Sequence, residues 1–233
     1  MPKKPPAARS TLDRELQGVQ DSVLRMGQMV DAAIEKALKS LSERDASLAR
    51  AVVSEDAAVN QLRFKTEEAC LALIATQQPA ARDLRTVVAA MNIVSDLERM
   101  ADHAAGIARI VLMMGEEPLL KPLIDIPRMA EACRQMVRDS LEAFIERDAD
   151  RAQVIAGMDD TVDGLYHQVF RELLSFMVED PATTTRALYL LFVAHNLERI
   201  GDRATNIAER VVFMTSGEMR ELNPEPRGTN QLG

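Results

Sequence analysis

A six-residue motif occurs twice in this chain, and it constrains the fold more than any other feature. Its copies are Leu97–Asp102 and, one hundred residues later, Leu197–Asp202. Each copy begins Leu-Glu-Arg and ends in Asp, so a glutamate and an aspartate lie four positions apart, on one face of a helix. Repetition at a fixed period indicates one structural unit built twice. The sequence therefore predicts two equivalent halves, each with its own acidic pair.

Apolar residues near the start recur at alternating intervals of four and three, from Leu12 through Val30 to Ala37. That spacing is typical of an amphipathic helix in a bundle. Similar stripes continue along the chain and are interrupted at Gln78-Pro79 and Asp180-Pro181, because proline can start a helix but cannot continue one. Each half therefore contains three helices.

Composition agrees with helical packing. Aromatic residues make up 3% of the chain, there is no tryptophan, and no stretch shows the alternation of a β-strand. The sequence Glu43–Asp45 recurs as Glu146–Asp148, and the aspartate of each suits a helix N-cap. The sequence thus predicts an all-α fold of two tandem three-helix bundle repeats, elongated because helices of roughly thirty residues are ~45 Å long.

Proline and glycine mark the expected boundaries, because they end helices and form linkers. The start and the end of the chain are rich in these residues, and a short proline-rich joint separates the halves. The predicted segments are a disordered N-terminus 1–10, a first repeat 11–117, a linker 118–127, a second repeat 128–216 and a flexible tail 217–233.

Charge and hydropathy exclude several classes of protein. The net charge is −8 and the basic residues are scattered, which disfavours a nucleic-acid interface. The longest apolar run, 187–194, is far below the ~18 residues of a membrane span. No apolar segment follows the basic start, and Cys70 and Cys133 have no pairing pattern. We therefore expect a cytoplasmic protein without membrane insertion.

The acidic pairs fall where side chains would otherwise be apolar. Glu98 and Glu198 are in register with apolar positions of their helices. The preceding helix of each half carries a matching polar pair, and antiparallel pairing about each proline break brings the two pairs opposite one another. The candidate metal ligands are Asp56, Asn60, Glu98 and Asp102 in the first half, and Asp159, Asp163, Glu198 and Asp202 in the second.

Clustered carboxylates repel each other and lose hydration, and a multivalent cation would compensate both effects. Oxygen donors without thiolate or imidazole favour iron, manganese or magnesium over zinc. The alternative is salt bridging by Arg63, Arg99 or Arg199. His195 precedes Glu198 by three residues, but position 95 is serine, so a histidine ligand would exist in one half only. No Ser-His-Asp or Cys-His arrangement indicates an enzyme.

Several motifs together resemble the PhoU family, the accessory regulators of bacterial high-affinity phosphate transport. The resemblance covers about residues 10–215. It rests on the doubled Leu-Glu-Arg-x-x-Asp motif and on four further segments, Gln78–Ala80, Asp83–Arg85, Met177–Asp180 and Ile200–Ile207.

Membership would imply two three-helix repeats, a cytoplasmic location and a homodimer. It would also imply repression of the phosphate-starvation response when phosphate is plentiful, through contacts with the ATPase of the phosphate ABC transporter and with a sensor histidine kinase. Some members bind metal clusters through Glu/Asp-x-x-x-Asp motifs, which implies the same candidate ligands. Asn60 stands where the second half has Asp163, so we expect weaker metal binding in the first half.

Two other functions stay open on the sequence alone. The clustered acids also suit a metal-dependent oxidase or a metal store built on a helical bundle. A weaker alternative is a metal-sensing regulator unrelated to phosphate.

Overall fold

The computed structural model describes residues 7–223, which contain six long helices and no strand. The all-α prediction of two three-helix repeats is confirmed. At ~1.5 Å per residue the helices are elongated rods. The helices are α1 (Ala7–Glu43), α2 (Ala46–Gln77), α3 (Ala81–Met114), α4 (Asp125–Glu146), α5 (Ala149–Glu179) and α6 (Thr184–Ser216), with a 3₁₀ turn at Pro181–Thr183.

Aspartate side chains start the second helix of each repeat, as predicted. Asp45 accepts hydrogen bonds from two backbone N–H groups of the first turn of α2, and Asp148 does the same for α5. The residue before each cap, Arg44 or Arg147, has a φ of 58°, in the left-handed region that lets the chain reverse. The same turn is therefore built twice.

The helix ends differ by a few residues from the predicted boundaries. Helix α1 begins at Ala7, inside the segment predicted to be disordered, and Arg9 there bridges Asp13 and Asp83. Residues 1–6 lie outside the described range. Helix α4 begins at Asp125, inside the predicted linker, and Asp125 accepts a hydrogen bond from Arg128 in its first turn. Of the predicted tail, residues 224–233 also lie outside the described range.

Helices α3 and α6 form the centre of the molecule. Each packs against the two other helices of its own repeat, and they also pack against each other. Their apolar residues are the most completely buried, among them Ile93, Met100 and Ile200. Helices α1 and α4 add a second contact between the repeats. The acidic motifs of α3 and α6 therefore lie at the middle of the protein.

The crossing of α3 and α6 is antiparallel and repeats one polar contact. Arg203 and Asn206 donate to the buried Asp96 at 3.2 and 3.4 Å. At the matching positions one hundred residues away, His103 pairs with Asn196 at 3.0 Å between ring Nδ1 and amide Oδ1. The two repeats are thus related by an approximate twofold axis. His103 is half-buried by this contact.

Helices α1 and α4 approach closely at Gly27. A Cβ atom on Gly27 would come within 2.0 Å of Cδ1 of Leu141, so the helix faces could not meet there around a larger residue. Arg134 of α4 donates to Asp31 of α1 at 2.8 and 3.0 Å nearby. Steric fit and an ion pair therefore fix this contact together.

Candidate metal centre

The second repeat brings three predicted ligands together. We call Asp159 and Asp163 of α5, with Glu198 and Asp202 of α6, the second acidic site. Carboxylate oxygens of Asp159, Asp163 and Asp202 all lie within 4.8 Å of one another. The antiparallel pairing of α5 with α6 produces this convergence, as the sequence predicted.

Asp159 is the most deeply placed of these acids. Its side chain is 6% exposed, and its Oδ1 has no hydrogen-bond partner among the described residues. Gly201 permits this position, because a Cβ there would lie 3.1 Å from the same Oδ1. A buried carboxylate oxygen without a partner is energetically costly, so Asp159 Oδ1 is suited to an electropositive ligand.

The electrostatics of the second acidic site disfavour full ionisation. Burial, followed by the charge of Glu198, raises the pKa of Asp202 to about 6. Burial also raises the pKa of Asp159, with a further contribution from Asp163, and it raises the pKa of Asp163 together with Glu198. Each carboxylate therefore makes its neighbours harder to ionise, and a bound cation would reverse that effect.

Arg199 neutralises part of this charge. It donates to both oxygens of Glu198 at 2.6 and 2.7 Å, and it lies 3.2 Å from Asp202. His195 Nδ1 is 3.4 Å from Glu198. The salt-bridge interpretation thus describes Glu198 and Asp202, while Asp159 keeps one oxygen without a partner among the described residues.

The first repeat contains the corresponding site. We call Asp56 and Asn60 of α2, with Glu98 and Asp102 of α3, the first acidic site. Asp56 Oδ1 is buried and has no hydrogen-bond partner among the described residues. Burial raises the pKa of Asp56, and Asp102 raises it further. The same atom is therefore left unpartnered at the equivalent position of both repeats.

Arginines of the first repeat behave differently from one another. Arg99 is 3.5 Å from the buried Glu98 and 3.4 Å from Asp102. Arg63 instead pairs with Glu67 at 3.0 Å. Asn60 is partly buried and supplies an uncharged oxygen. The first acidic site therefore holds one carboxylate fewer than the second.

A cavity of about 420 Å³ opens between α1 and α2 beside the first acidic site. Asp56 lines it, Ala101 of α3 forms part of its wall, and Lys36 bridges Glu55 at its edge. A route from solvent to Asp56 is therefore present in the first repeat.

Sequence patterns did not identify every residue at the second acidic site. Asn223, in the predicted tail, donates from Nδ2 to Oδ2 of Asp159 at 3.5 Å. It belongs to no helical stripe, so periodicity could not reveal it. Cys133 is buried nearby and donates to the carbonyl oxygen of Leu197; burial raises its pKa, so it stays a thiol.

The donor set fits a hard cation. Its side-chain donors are carboxylate oxygens, with the amide of Asn60 in the first repeat, and each repeat has a buried carboxylate oxygen without a partner in the described structure. Such donors match magnesium, manganese and ferrous iron.

Comparison with known proteins gives one family for both repeats. The family model described as the PhoU domain matches residues 23–111 and 126–211. A protein of Aquifex aeolicus named phosphate-specific transport system accessory protein PhoU homolog is 41% identical, over 89% of this chain and 94% of its own.

Solved structures of the same family share the fold. The crystal structure of PhoU from Pseudomonas aeruginosa is similar with a TM-score of 0.84 and 35% identity, covering 88% of this chain and 99% of that one. The crystal structure of the phosphate transport system regulatory protein PhoU from Streptococcus pneumoniae has a TM-score of 0.84 and 34% identity, covering 90% of this chain and 99% of that one. The repeats, their acidic motifs and these similarities together show that the chain belongs to the PhoU family.

Proposed function

We propose that this protein is a non-enzymatic accessory regulator of high-affinity phosphate transport. It represses the phosphate-starvation two-component response when phosphate is plentiful. The observation that carries the proposal is the match of both repeats to one family, whose relatives of nearly the same length are named for phosphate-specific transport.

The proposed partners are the ATPase of the phosphate ABC transporter and a sensor histidine kinase, which the protein contacts in the cytoplasm as a homodimer. The chemistry of the chain is compatible with protein partners. Its charge is strongly acidic, at −8, which favours basic protein surfaces. None of the helices within residues 7–223 is long and apolar enough to cross a bilayer.

Both acidic sites take part in this proposal as metal sites. A divalent cation would join α2 to α3 and α5 to α6 through carboxylates that otherwise repel one another. Iron, manganese and magnesium suit the oxygen donors better than zinc. An oxidase is the less supported function, because His195 has only Ser95 as its counterpart in the first repeat.

Deletion of the gene tests the regulatory role. We expect high alkaline phosphatase activity in phosphate-rich medium, because the starvation response would lose its repressor. Returning the wild-type gene should restore low activity. Activity that stays low in a strain without a second copy of the gene would refute the proposed repression.

A reciprocal exchange tests the metal sites. Asn60→Asp should tighten Mn²⁺ binding at the first acidic site, and Asp163→Asn should weaken it at the second, each by roughly tenfold, because ligand charge sets affinity. Calorimetric titration of the chelator-treated protein measures both constants. Equal constants for the wild type and both variants would contradict the assignment.

A further inference from the structure

The segment after α6 folds back along the second repeat. Gly217 ends the helix with a φ of 83°, which reverses the chain. The backbone N–H of Leu222 then donates to Oε1 of Glu209 at 3.1 Å, and its side chain packs against the core. We call residues 217–223 the strap, because these contacts fix it across α6.

The strap ends at the second acidic site. Asn223 donates from Nδ2 to Oδ2 of Asp159 at 3.5 Å. Asp159 is the acid with 6% exposure, and its other oxygen has no partner among the described residues. The strap therefore reaches the deepest carboxylate of the site with an amide side chain.

The first repeat has no equivalent of this contact within the described residues. The chain that follows α3 leads to α4, and Arg44 donates to the carbonyl oxygen of Gly115 at its start. The cavity beside Asp56 borders the first acidic site instead. The two acidic sites therefore differ in charge and also in their surroundings, because the strap contacts the second site while a cavity borders the first.

We propose that Asn223 is a further metal ligand of the second acidic site and that the strap closes over the bound ion. The inference rests on the metal binding proposed above. Rotation of the amide about its last side-chain bond exchanges Nδ2 for Oδ1, and an amide oxygen is a normal ligand of hard divalent cations.

This arrangement solves an electrostatic problem of the site. Asp159, Asp163, Glu198 and Asp202 already bring four carboxylates, and oxygens of Asp159, Asp163 and Asp202 lie within 4.8 Å of one another. A fifth carboxylate would add to their mutual repulsion, whereas an amide adds an oxygen without charge. The ion in turn would hold the strap in place, so occupancy of the site would control the order of residues 217–223.

Titration with Mn²⁺ tests the proposal in the full-length chain. An Asp56→Asn background weakens the first site so that the tighter constant reports the second site, and Asn223→Leu removes the amide at similar volume. We expect about tenfold weaker binding for Asn223→Leu, and binding at least as tight as in the wild type for Asn223→Asp, which keeps an oxygen and adds charge. Asn92→Leu, an exposed asparagine elsewhere on α3, is the matched control.

Limited proteolysis gives a second measurement. Trypsin cleaves after the exposed Arg220 in the strap, and Mn²⁺ should slow that cleavage in the wild type but not in Asn223→Leu. Unchanged affinity and unchanged protection in Asn223→Leu would overturn the strap while leaving the metal sites intact. A wild-type chain that binds no Mn²⁺ would overturn the metal sites and the strap together, while the regulatory role is decided separately by the deletion experiment.

Discussion

The pKa of a single carboxylate determines whether acid stabilises or destabilises the folded protein. Asp202 has its pKa raised to about 6 by burial and by Glu198, so the folded protein binds its proton more tightly than the unfolded chain does. Such a group stabilises the fold fully below its unfolded pKa, and this contribution is lost as the pH rises through the folded pKa. His103 contributes to the pH dependence of stability with the opposite sign, because burial lowers its pKa.

We therefore expect the metal-free wild type to gain more stability than Asp202→Asn when the pH falls from 7.5 to 5. Comparing the two proteins removes the contribution of His103, which both share. Thermal unfolding in the presence of a chelator measures the difference. The pKa assignment would be wrong if both proteins shifted equally.

The sequence could predict which acids face each other but not which hydrogen-bond or ion-pair partner each carboxylate has. Helical spacing and the proline breaks were enough to place Asp159 and Asp163 opposite Asp202. Whether Arg199 binds Glu198 or a neighbouring acid depends on side-chain rotamers, which periodicity does not specify. Asn223 reaches Asp159 through a non-helical segment, where sequence patterns carry no register.

At the level of helices, the duplicated turn stabilises each hairpin by the same device. The carboxylate of Asp45 accepts from the N–H groups of Ser47 and Leu48 at 2.8 and 2.9 Å. Asp148 accepts at 3.0 and 2.9 Å in the second repeat. These bonds satisfy N–H groups that have no partner within the helix.

Asp45→Ala and Asp148→Ala should each lower the free energy of unfolding by about 1 kcal/mol, the usual contribution of an N-cap. Chemical denaturation measures both losses. Glu43→Ala, at an exposed position in the same turn, is the control. A loss for Glu43→Ala as large as that for Asp45→Ala would show that the caps contribute nothing specific.

The whole molecule depends on contacts between the repeats that the apolar pattern did not reveal. Heptad-like spacing predicted six helices. The same spacing is expected whether the two repeats are separate or packed together, so it does not predict the contacts between them. The approach of α1 to α4 requires the missing side chain of Gly27 beneath Leu141. A glycine inside a helix looks like a weak point in sequence, and only the partner helix explains it.

A double-mutant cycle tests that contact. Gly27→Ala should destabilise the protein by about 1–3 kcal/mol through overpacking, despite the better helix propensity of alanine. In a Leu141→Ala background the same change should cost less, with a coupling of about 1 kcal/mol. Denaturation of the four proteins gives the coupling, and additive effects would show that Gly27 and Leu141 act independently.

The doubled contact between α3 and α6 also bears on the origin of the chain. Asp96 contacts Arg203, and Asn196 contacts His103. The two contacts join the same pair of repeat positions, with the roles of α3 and α6 exchanged. Such reciprocity is the signature of a symmetric dimer interface. A single repeat would therefore form this core by pairing with its own copy, and joining two copies in one polypeptide frees each to diverge. Duplication and fusion of one repeat would give this arrangement, in which one reciprocal interface carries two unequal acidic sites.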